Sequence, residues 1–143
     1  MPAGESEREL PAARIYGTGV DIIELSRIEA AWQRHGARFS ARILGPGELA
    51  RFEERRQRSE ARGLAFLATR FAAKEAISKA LRLGMRMPMT WRAAEVLNAP
   101  GGRPVVRLHG ELARHAERHG LQLHVSVSDE RLFAIAYAIA EKA

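Results

Sequence analysis

Two of the three lysines in this 143-residue chain lie in the segment RFAAKEAISKAL, residues 70–81. They are Lys74 and Lys79, and Glu75 stands between them in a chain that otherwise carries its positive charge on arginine. In a helix, Glu75 and Lys79 are one turn apart, so their side chains lie beside each other. This spacing suits a weak, exposed ion pair, and it also suits a carboxylate and an ammonium placed for chemistry.

A second carboxylate favours the chemical interpretation. Asp21 is the only acidic residue in the apolar segment RIYGTGVDII, residues 14–23. Two carboxylates from different elements, completed by phosphate oxygens and waters, form a ligand set that suits Mg²⁺. A lysine one turn from such a ligand can hold a phosphate, and a metal with a lysine is typical of phosphoryl transfer. Spacing alone leaves open whether Asp21 meets Glu75.

The elements that would position these residues can be predicted from periodicity. Residues 14–23 predict a strand, and the S-x-x-E pattern of Ser26 and Glu29 predicts a capping box that starts a helix near Arg27. Short helices are predicted up to residue 56, a polar connection over 57–63, and a long helix from about residue 64 to 83. Beyond it, two strands around a Pro/Gly turn and a short helix ending at Gly120 are predicted.

The last two strands have different patterns. Residues 121–128 alternate strictly between apolar and polar side chains, as in a strand with one solvated face. Residues 132–140, LFAIAYAIA, are apolar on both faces and are therefore predicted to be buried or to lie at an interface. The order of elements predicts a single α+β domain over 14–143, in which a mostly antiparallel sheet packs against the long helix, after a flexible extension over 1–13.

Composition limits the possible classes of function. The chain has no cysteine, which excludes disulfides, thiol catalysis and cysteine-ligated metal. The first 13 residues lack the regions of a signal peptide, and no apolar run approaches the roughly 20 residues of a membrane span, so we expect a cytoplasmic protein without membrane contact. The formal net charge of +6 predicts an anionic partner, which charge alone leaves open among nucleic acid, a phosphorylated ligand and an acidic protein.

Two motifs at a characteristic separation resemble a known family. GTGVDIIELSRIE, residues 17–29, and RFAAKEAISKAL are similar to segments of the bacterial holo-acyl-carrier-protein synthases, the short class of 4′-phosphopantetheinyl transferases. The resemblance runs from about Ile15 to Ile139 and includes RFSARIL, GGRP and HVSVSDE. It implies that family's fold and, in support of fatty acid biosynthesis, transfer of the 4′-phosphopantetheine arm of coenzyme A to a serine of apo-acyl carrier protein. Adenosine 3′,5′-bisphosphate would be released.

The resemblance also implies roles for individual residues. Asp21 and Glu75 would bind Mg²⁺, Lys79 would hold the phosphate under attack, and the serine proton would pass to Glu75 or to a metal-bound water. The loop after the long helix would bind coenzyme A, with Arg82 and Gly84 in the sequence LRLG where many members have FGTG. Because an aspartate stands where many members have a histidine after the HVSVS strand, no histidine role is carried over there.

The partners implied by the resemblance are acyl carrier protein and further copies of the chain. The family meets acidic carrier proteins with basic residues of its first helix. The arginines that match this role are spaced 7, 4 and 4 residues apart and are Arg27, Arg34, Arg38 and Arg42. Members usually assemble as homotrimers with active sites between subunits, which agrees with the two apolar faces of residues 132–140.

Two competing interpretations remain from the residues alone. A basic nucleic-acid-binding module without catalytic activity would explain the charge, but not the placement of Asp21, Glu75 and Lys79. The nine aromatic residues do not interleave with the arginines as a base-stacking platform requires, so we expect no nucleic-acid partner. A catalytically silent protein that binds carrier protein without modifying it is the other interpretation.

Overall fold

The computed structural model describes residues 14–143, and the predicted extension over residues 1–13 lies outside the described residues. The described elements are β1 (Ile15–Glu24), α1 (Leu25–His35), α2 (Ala37–Ile43), α3 (Pro46–Arg58), α4 (Glu60–Ala80), β2 (Ala94–Asn98), β3 (Pro104–Leu108), α5 (Gly110–Arg118), β4 (Leu121–Asp129) and β5 (Phe133–Lys142). A short 3₁₀ turn, Trp91–Ala93, precedes β2. Within this part of the chain, no helix has the length and hydropathy that crossing a membrane requires.

The strands form two antiparallel sheets, which confirms the predicted α+β fold. One sheet has the order β1-β5-β4, and the other is the hairpin of β2 and β3. Helix α4 packs across one face of the three-stranded sheet and contributes much of the core. The β5 residues that face α4 are all alanine and all buried: Ala134, Ala136, Ala138 and Ala140. Small side chains on both sides therefore let the helix lie close to the sheet.

Two glycines of β1 set how closely α4 approaches. A Cβ atom added to Gly19 would lie 1.9 Å from the carbonyl oxygen of Ala76, and one added to Gly17 would lie 2.1 Å from that of Ala80. Both contacts are with helix backbone, which cannot move aside as a flexible side chain can. The glycines in this strand are therefore required by the approach of another backbone, as strand glycines often are.

The starts of two helices differ from the sequence prediction. Helix α1 follows β1 directly from Leu25, whose amide donates to the carbonyl oxygen of Leu132 at 2.8 Å, and no side chain caps it. The predicted capping box of Ser26 and Glu29 is therefore wrong, because a tertiary contact already satisfies the first amide of the helix. Helix α4 begins at Glu60 instead of residue 64, so most of the predicted polar connection is helical.

Strand β5 resolves the ambiguity of the segment with two apolar faces. Its alanines are buried against α4, whereas Phe133, Ile135 and Tyr137 are 42%, 43% and 45% exposed on the opposite face. The register sets Val20 and Ile22 of β1 beside Tyr137 and Ile135, and these two residues are also exposed. The three-stranded sheet therefore has one buried face and one open face, which is apolar along β1 and β5 and polar along β4.

We predict that Gly19→Ala destabilises the fold and separates α4 from β1. Overpacking of this kind typically costs about 1–3 kcal/mol of unfolding free energy, to be measured by urea denaturation. The control is Thr18→Ala on the exposed side of the same strand, for which we expect a change within about 0.5 kcal/mol. Equal stability of the two variants would show that the helix can retreat from β1 at little cost.

Candidate active site

The close packing of α4 on β1 brings together three of the residues singled out in the sequence. The ammonium Nζ of Lys79 lies 3.6 Å from Oδ1 of Asp21 and donates a 2.9 Å hydrogen bond to the carbonyl oxygen of Val20. The ion pair of Lys79 is thus made across the helix–strand interface, with the carboxylate of β1. The side chain of Lys79 is 50% exposed, so its charge also faces solvent.

Glu75 lies within electrostatic reach of the same pair. Burial raises the pKa of Glu75, the negative charge of Asp21 raises it further, and the positive charge of Lys79 lowers it. Burial likewise raises the pKa of Asp21, against the opposing charges of Lys79 and Arg27. Because the pKa of each carboxyl group stays above its ordinary value, the cations nearby do not fully offset the burial of the two negative charges.

The raised pKa values of Asp21 and Glu75 bear on whether these residues fit a metal ion. A divalent cation between Asp21 and Glu75 would supply the missing positive charge, and carboxylate oxygens are the ligands that Mg²⁺ prefers. Residues 14–143 gather no cluster of three or more histidine, cysteine or acidic side chains. Two carboxylates with the remaining positions left to water and phosphate are the usual protein contribution to a Mg²⁺ site. The donor set fits magnesium.

Lys74, next to Glu75 in the sequence, has a different environment from Lys79. Its side chain is fully buried, and its ammonium donates to Oε1 of Glu48 at 2.6 Å. It also donates to the carbonyl oxygens of Ile43 and Trp91, each at 2.7 Å. Sequence reasoning assigned Lys74 no role. The signal available was the choice of lysine in a chain with twenty arginines, but nothing in the motif named a partner.

The loop after α4 contains the two residues predicted to bind coenzyme A. Arg82 has a φ of 61°, in the left-handed region, and Gly84 has the same φ. The guanidinium of Arg82 lies over the ring of Tyr16 in β1, 4.2 Å from the ring centre. The amides of Leu83 and Gly84 donate to the carbonyl oxygen of Ser78, each at 3.0 Å. The loop is therefore a tight end to the helix, and Arg82 fastens it to the first strand.

The four arginines predicted to meet a partner are all exposed, on α1 and α2. Arg27 lies on the side of α1 where its charge lowers the pKa of Asp21. Arg38 and Arg42 line a surface cavity of about 200 Å³ together with His35 and Phe39. The structure thus combines positive charge with an apolar side chain at α2 and extends the positive charge toward Asp21.

A second basic surface, on α3 beside the buried Arg70, was missed by sequence reasoning. Arg70 is buried and donates to Val96 O at 3.0 Å and to Asn98 Oδ1 at 2.7 Å. Burial lowers the pKa of Arg70 to about 10. The guanidinium groups of Arg70 and Arg55 lie 4.1 Å and 5.1 Å from the centre of the Phe66 ring. The signal that could have found this surface is the helical spacing of Arg51, Arg55 and Arg58 along α3.

A family model and curated relatives both match most of the chain, and both point to the same family. The model of the 4′-phosphopantetheinyl transferase superfamily matches residues 17–138. A holo-[acyl-carrier-protein] synthase of Cupriavidus necator is 57% identical over 129 residues, which cover 90% of this chain and 92% of that protein.

Solved structures agree with this result. The holo-[acyl-carrier-protein] synthase of Neisseria meningitidis superposes with a TM-score of 0.82 at 35% identity, covering 90% of this chain and 99% of the other. A holo-(acyl-carrier-protein) synthase of Bacillus anthracis, solved in complex with CoA (3′,5′-ADP), superposes with a TM-score of 0.75 at 33% identity, covering 92% and 100%.

Proposed function

The chain belongs to the 4′-phosphopantetheinyl transferase superfamily, among its holo-acyl-carrier-protein synthases, and we propose that it modifies apo-acyl carrier protein in a Mg²⁺-dependent reaction. The serine oxygen of the carrier protein bonds to the phosphorus that bears the pantetheine arm of coenzyme A. The bond from that phosphorus to the leaving group breaks, and adenosine 3′,5′-bisphosphate departs. The observation that carries this proposal is the convergence of Asp21, Glu75 and Lys79 where α4 packs on β1.

Each of the three residues has a distinct part in this reaction. Asp21 and Glu75 hold Mg²⁺, which when bound neutralises the diphosphate and stabilises the departing phosphate. Lys79 is anchored to the carbonyl oxygen of Val20 and keeps half of its side chain open, so its ammonium can contact the phosphate under attack. Glu75 accepts the serine proton, directly or through a water.

The loop after α4 is the proposed contact for the remaining anionic part of coenzyme A. Gly84 lets the backbone turn in the left-handed region, so no side chain stands between its peptide and a ligand. Arg82 adds a positive charge beside β1, on the same helix end as Lys79. The structure of the relative from Bacillus anthracis with CoA (3′,5′-ADP) supports coenzyme A as the ligand class.

Acyl carrier protein is the proposed partner of the surface formed by Arg27, Arg34, Arg38 and Arg42. The exposure of all four guanidinium groups and the apolar ring of Phe39 beside Arg38 and Arg42 support a surface for an acidic protein. Opposite charges at such an interface accelerate association and fix the orientation of the partners. Arg27 extends this surface to Asp21, so a docked carrier protein would present its serine close to the carboxylates.

We propose that the protein forms a homotrimer in which a second copy of the chain packs against the open apolar face of the three-stranded sheet. Val20 and Ile22 are 51% and 60% exposed there, beside the exposed Ile135 and Tyr137. A contiguous apolar patch of this kind marks an interface more often than a solvated surface. Asp21, between Val20 and Ile22 in the sequence of β1, turns its side chain to the α4 side of the sheet, where it meets Lys79.

The proposal predicts that incubation with apo-acyl carrier protein, coenzyme A and Mg²⁺ adds phosphopantetheine to the carrier protein, measured by mass spectrometry, and that EDTA prevents it. At limiting Mg²⁺, we expect Asp21→Asn and Glu75→Gln to lower kcat/KM at least about 100-fold. The control Glu117→Gln changes an exposed glutamate of α5 in the same way and is expected to keep activity.

The Asp21→Asn variant also has an expected effect on the thermal stability of the metal-free protein. Burial raises the pKa of Asp21, so the folded protein holds that proton more tightly than the unfolded chain does. At neutral pH the ionised carboxylate therefore opposes folding, and Asp21→Asn should leave the metal-free melting temperature unchanged or raised.

Near-normal transfer by both folded variants, Asp21→Asn and Glu75→Gln, would refute the metal assignment. Absence of transfer by the wild type, with tight binding to duplex DNA or RNA, would favour the nucleic-acid alternative.

We predict that Arg34, Arg38 and Arg42, changed together to Glu, raise the KM for carrier protein about tenfold or more and leave the KM for coenzyme A unchanged. Arg27 is left intact because its charge also acts on Asp21. In the control variant, Arg103, Arg107 and Arg118 are changed to Glu. These three arginines are exposed and lie outside α1 and α2, and the control variant changes the net charge by the same amount. Equal effects of the two triple variants would attribute the result to net charge and remove the docking surface.

We predict a solution mass three times that of the chain, measured by light scattering after size exclusion. Tyr137→Lys should produce smaller species and reduce transfer in parallel, because it places a charge on the open apolar face. The control Val105→Lys adds the same charge at a residue of β3 that is 40% exposed, compared with 45% for Tyr137. A monomeric wild type at working concentration would contradict the assembly.

A further inference from the structure

Lys74 is a fully buried ammonium group that the proposed reaction does not use. All three of its hydrogens have acceptors at short distances: Glu48 Oε1 at 2.6 Å, and the carbonyl oxygens of Ile43 and Trp91, each at 2.7 Å. The side chains of Lys74 and Glu48 are both 0% exposed. Lys74 therefore joins α4 to the end of α2, to the first turn of α3 and to the turn before β2.

The partner of Lys74 is itself held from several sides. Glu48 Oε1 also accepts from the amide of Gly45 at 3.0 Å, and Glu48 Oε2 accepts from the amide of Val96 at 2.9 Å. Glu95 accepts from the amide of Glu48 at 3.1 Å. The position of the Lys74 ammonium is therefore fixed by a polar network that reaches the start of α3 and β2.

The elements joined by Lys74 are the ones that the proposed reaction must align. Ile43 ends α2, the helix that carries Arg38 and Arg42 of the proposed docking surface. Glu75 follows Lys74 directly on α4, one turn before Lys79, whose ammonium lies 3.6 Å from Oδ1 of Asp21. Lys74 thus bonds α2, called here the docking helix, and is one peptide bond from Glu75, the proposed metal ligand.

Stability alone gives a weak reason for this buried charge pair. Desolvation of two ions offsets most of their attraction, and well-packed apolar residues of similar volume are often as stable. An apolar side chain could not bond three acceptors at fixed angles. The bonds of Lys74 do so, and they fix the rotation of α4 about its axis and its position along that axis. The complete set of hydrogen bonds at Lys74 therefore indicates a geometric function.

We propose that Lys74 is a positioning residue that acts through Glu75. It holds Glu75 at the distance from Asp21 that metal binding needs, and it couples this distance to the position of the docking helix α2. This inference rests on the proposed function, because it takes Asp21 and Glu75 as the metal ligands. Partners that orient a metal ligand are typically worth about 10–100-fold in metal affinity.

The test is the double variant Lys74→Met with Glu48→Gln, which removes both charges at nearly constant volume. Calorimetric titration of the substrate-free protein with Mn²⁺, as a probe for Mg²⁺, should show affinity lowered about 10–100-fold. The KM for carrier protein should rise in the same variant. The control Leu112→Ala, in the core at α5, destabilises the fold and removes none of the hydrogen-bonding groups of the network, and both quantities should stay at wild-type values.

The outcomes separate this inference from the function on which it rests. Wild-type Mn²⁺ affinity in the double variant, with affinity lost in Asp21→Asn, overturns the positioning role and leaves the metal site intact. Wild-type affinity in Asp21→Asn overturns the metal site itself. Equal losses in the double variant and in Leu112→Ala reduce Lys74 to a stabilising role. If the double variant does not fold, Lys74→Gln, which keeps two donor hydrogens, is judged by the same criteria.

Discussion

The contact between the backbone of α4 and strand β1 is the constraint on which the rest of the structure depends. Gly17 and Gly19 leave no room for a Cβ atom against the helix, and the alanines of β5 continue the same close surface. A larger separation would place the side chains of α4 and β1 out of reach of one another. Lys79 could then not bond the carbonyl of Val20 or approach Asp21. The candidate active site is thus a consequence of packing by small residues.

Two lysines five residues apart show how environment divides one residue type into two roles. Lys74 points away from the sheet into a closed set of acceptors, where burial lowers its pKa and the Glu48 carboxylate opposes that change. Lys79 lies at the rim beside Asp21 and keeps half of its side chain in solvent. A closed, fully bonded ammonium can only hold structure, whereas an open one can receive a phosphate. Glu75 therefore lies on α4 between a buried, fully bonded ammonium and a half-exposed one.

Sequence reasoning predicted the fold class, and the resemblance of two motifs to a known family implied a shared site for Asp21, Glu75 and Lys79, which spacing alone left open. It failed where tertiary contacts replace local signals. Ser26 has the residue type and spacing of a helix cap, yet the amide of Leu25 finds its acceptor at Leu132, more than a hundred residues away. Lys74 was assigned no role from the sequence, because the groups that bury its charge belong to α2, α3 and the turn before β2. Long-range partners of this kind leave no periodicity in the sequence.

The site carries an electrostatic cost that the remainder of the fold must offset. Asp21 and Glu75 both have raised pKa values, so the metal-free protein is less stable with them ionised than with neutral side chains of the same shape. In the Lys74–Glu48 network, by contrast, every hydrogen of the ammonium is bonded. A rigid, satisfied network next to a buried pair of carboxylates is the arrangement that preorganisation requires. Under the proposed metal assignment, a bound cation would recover part of the free energy that burial of these carboxylates costs.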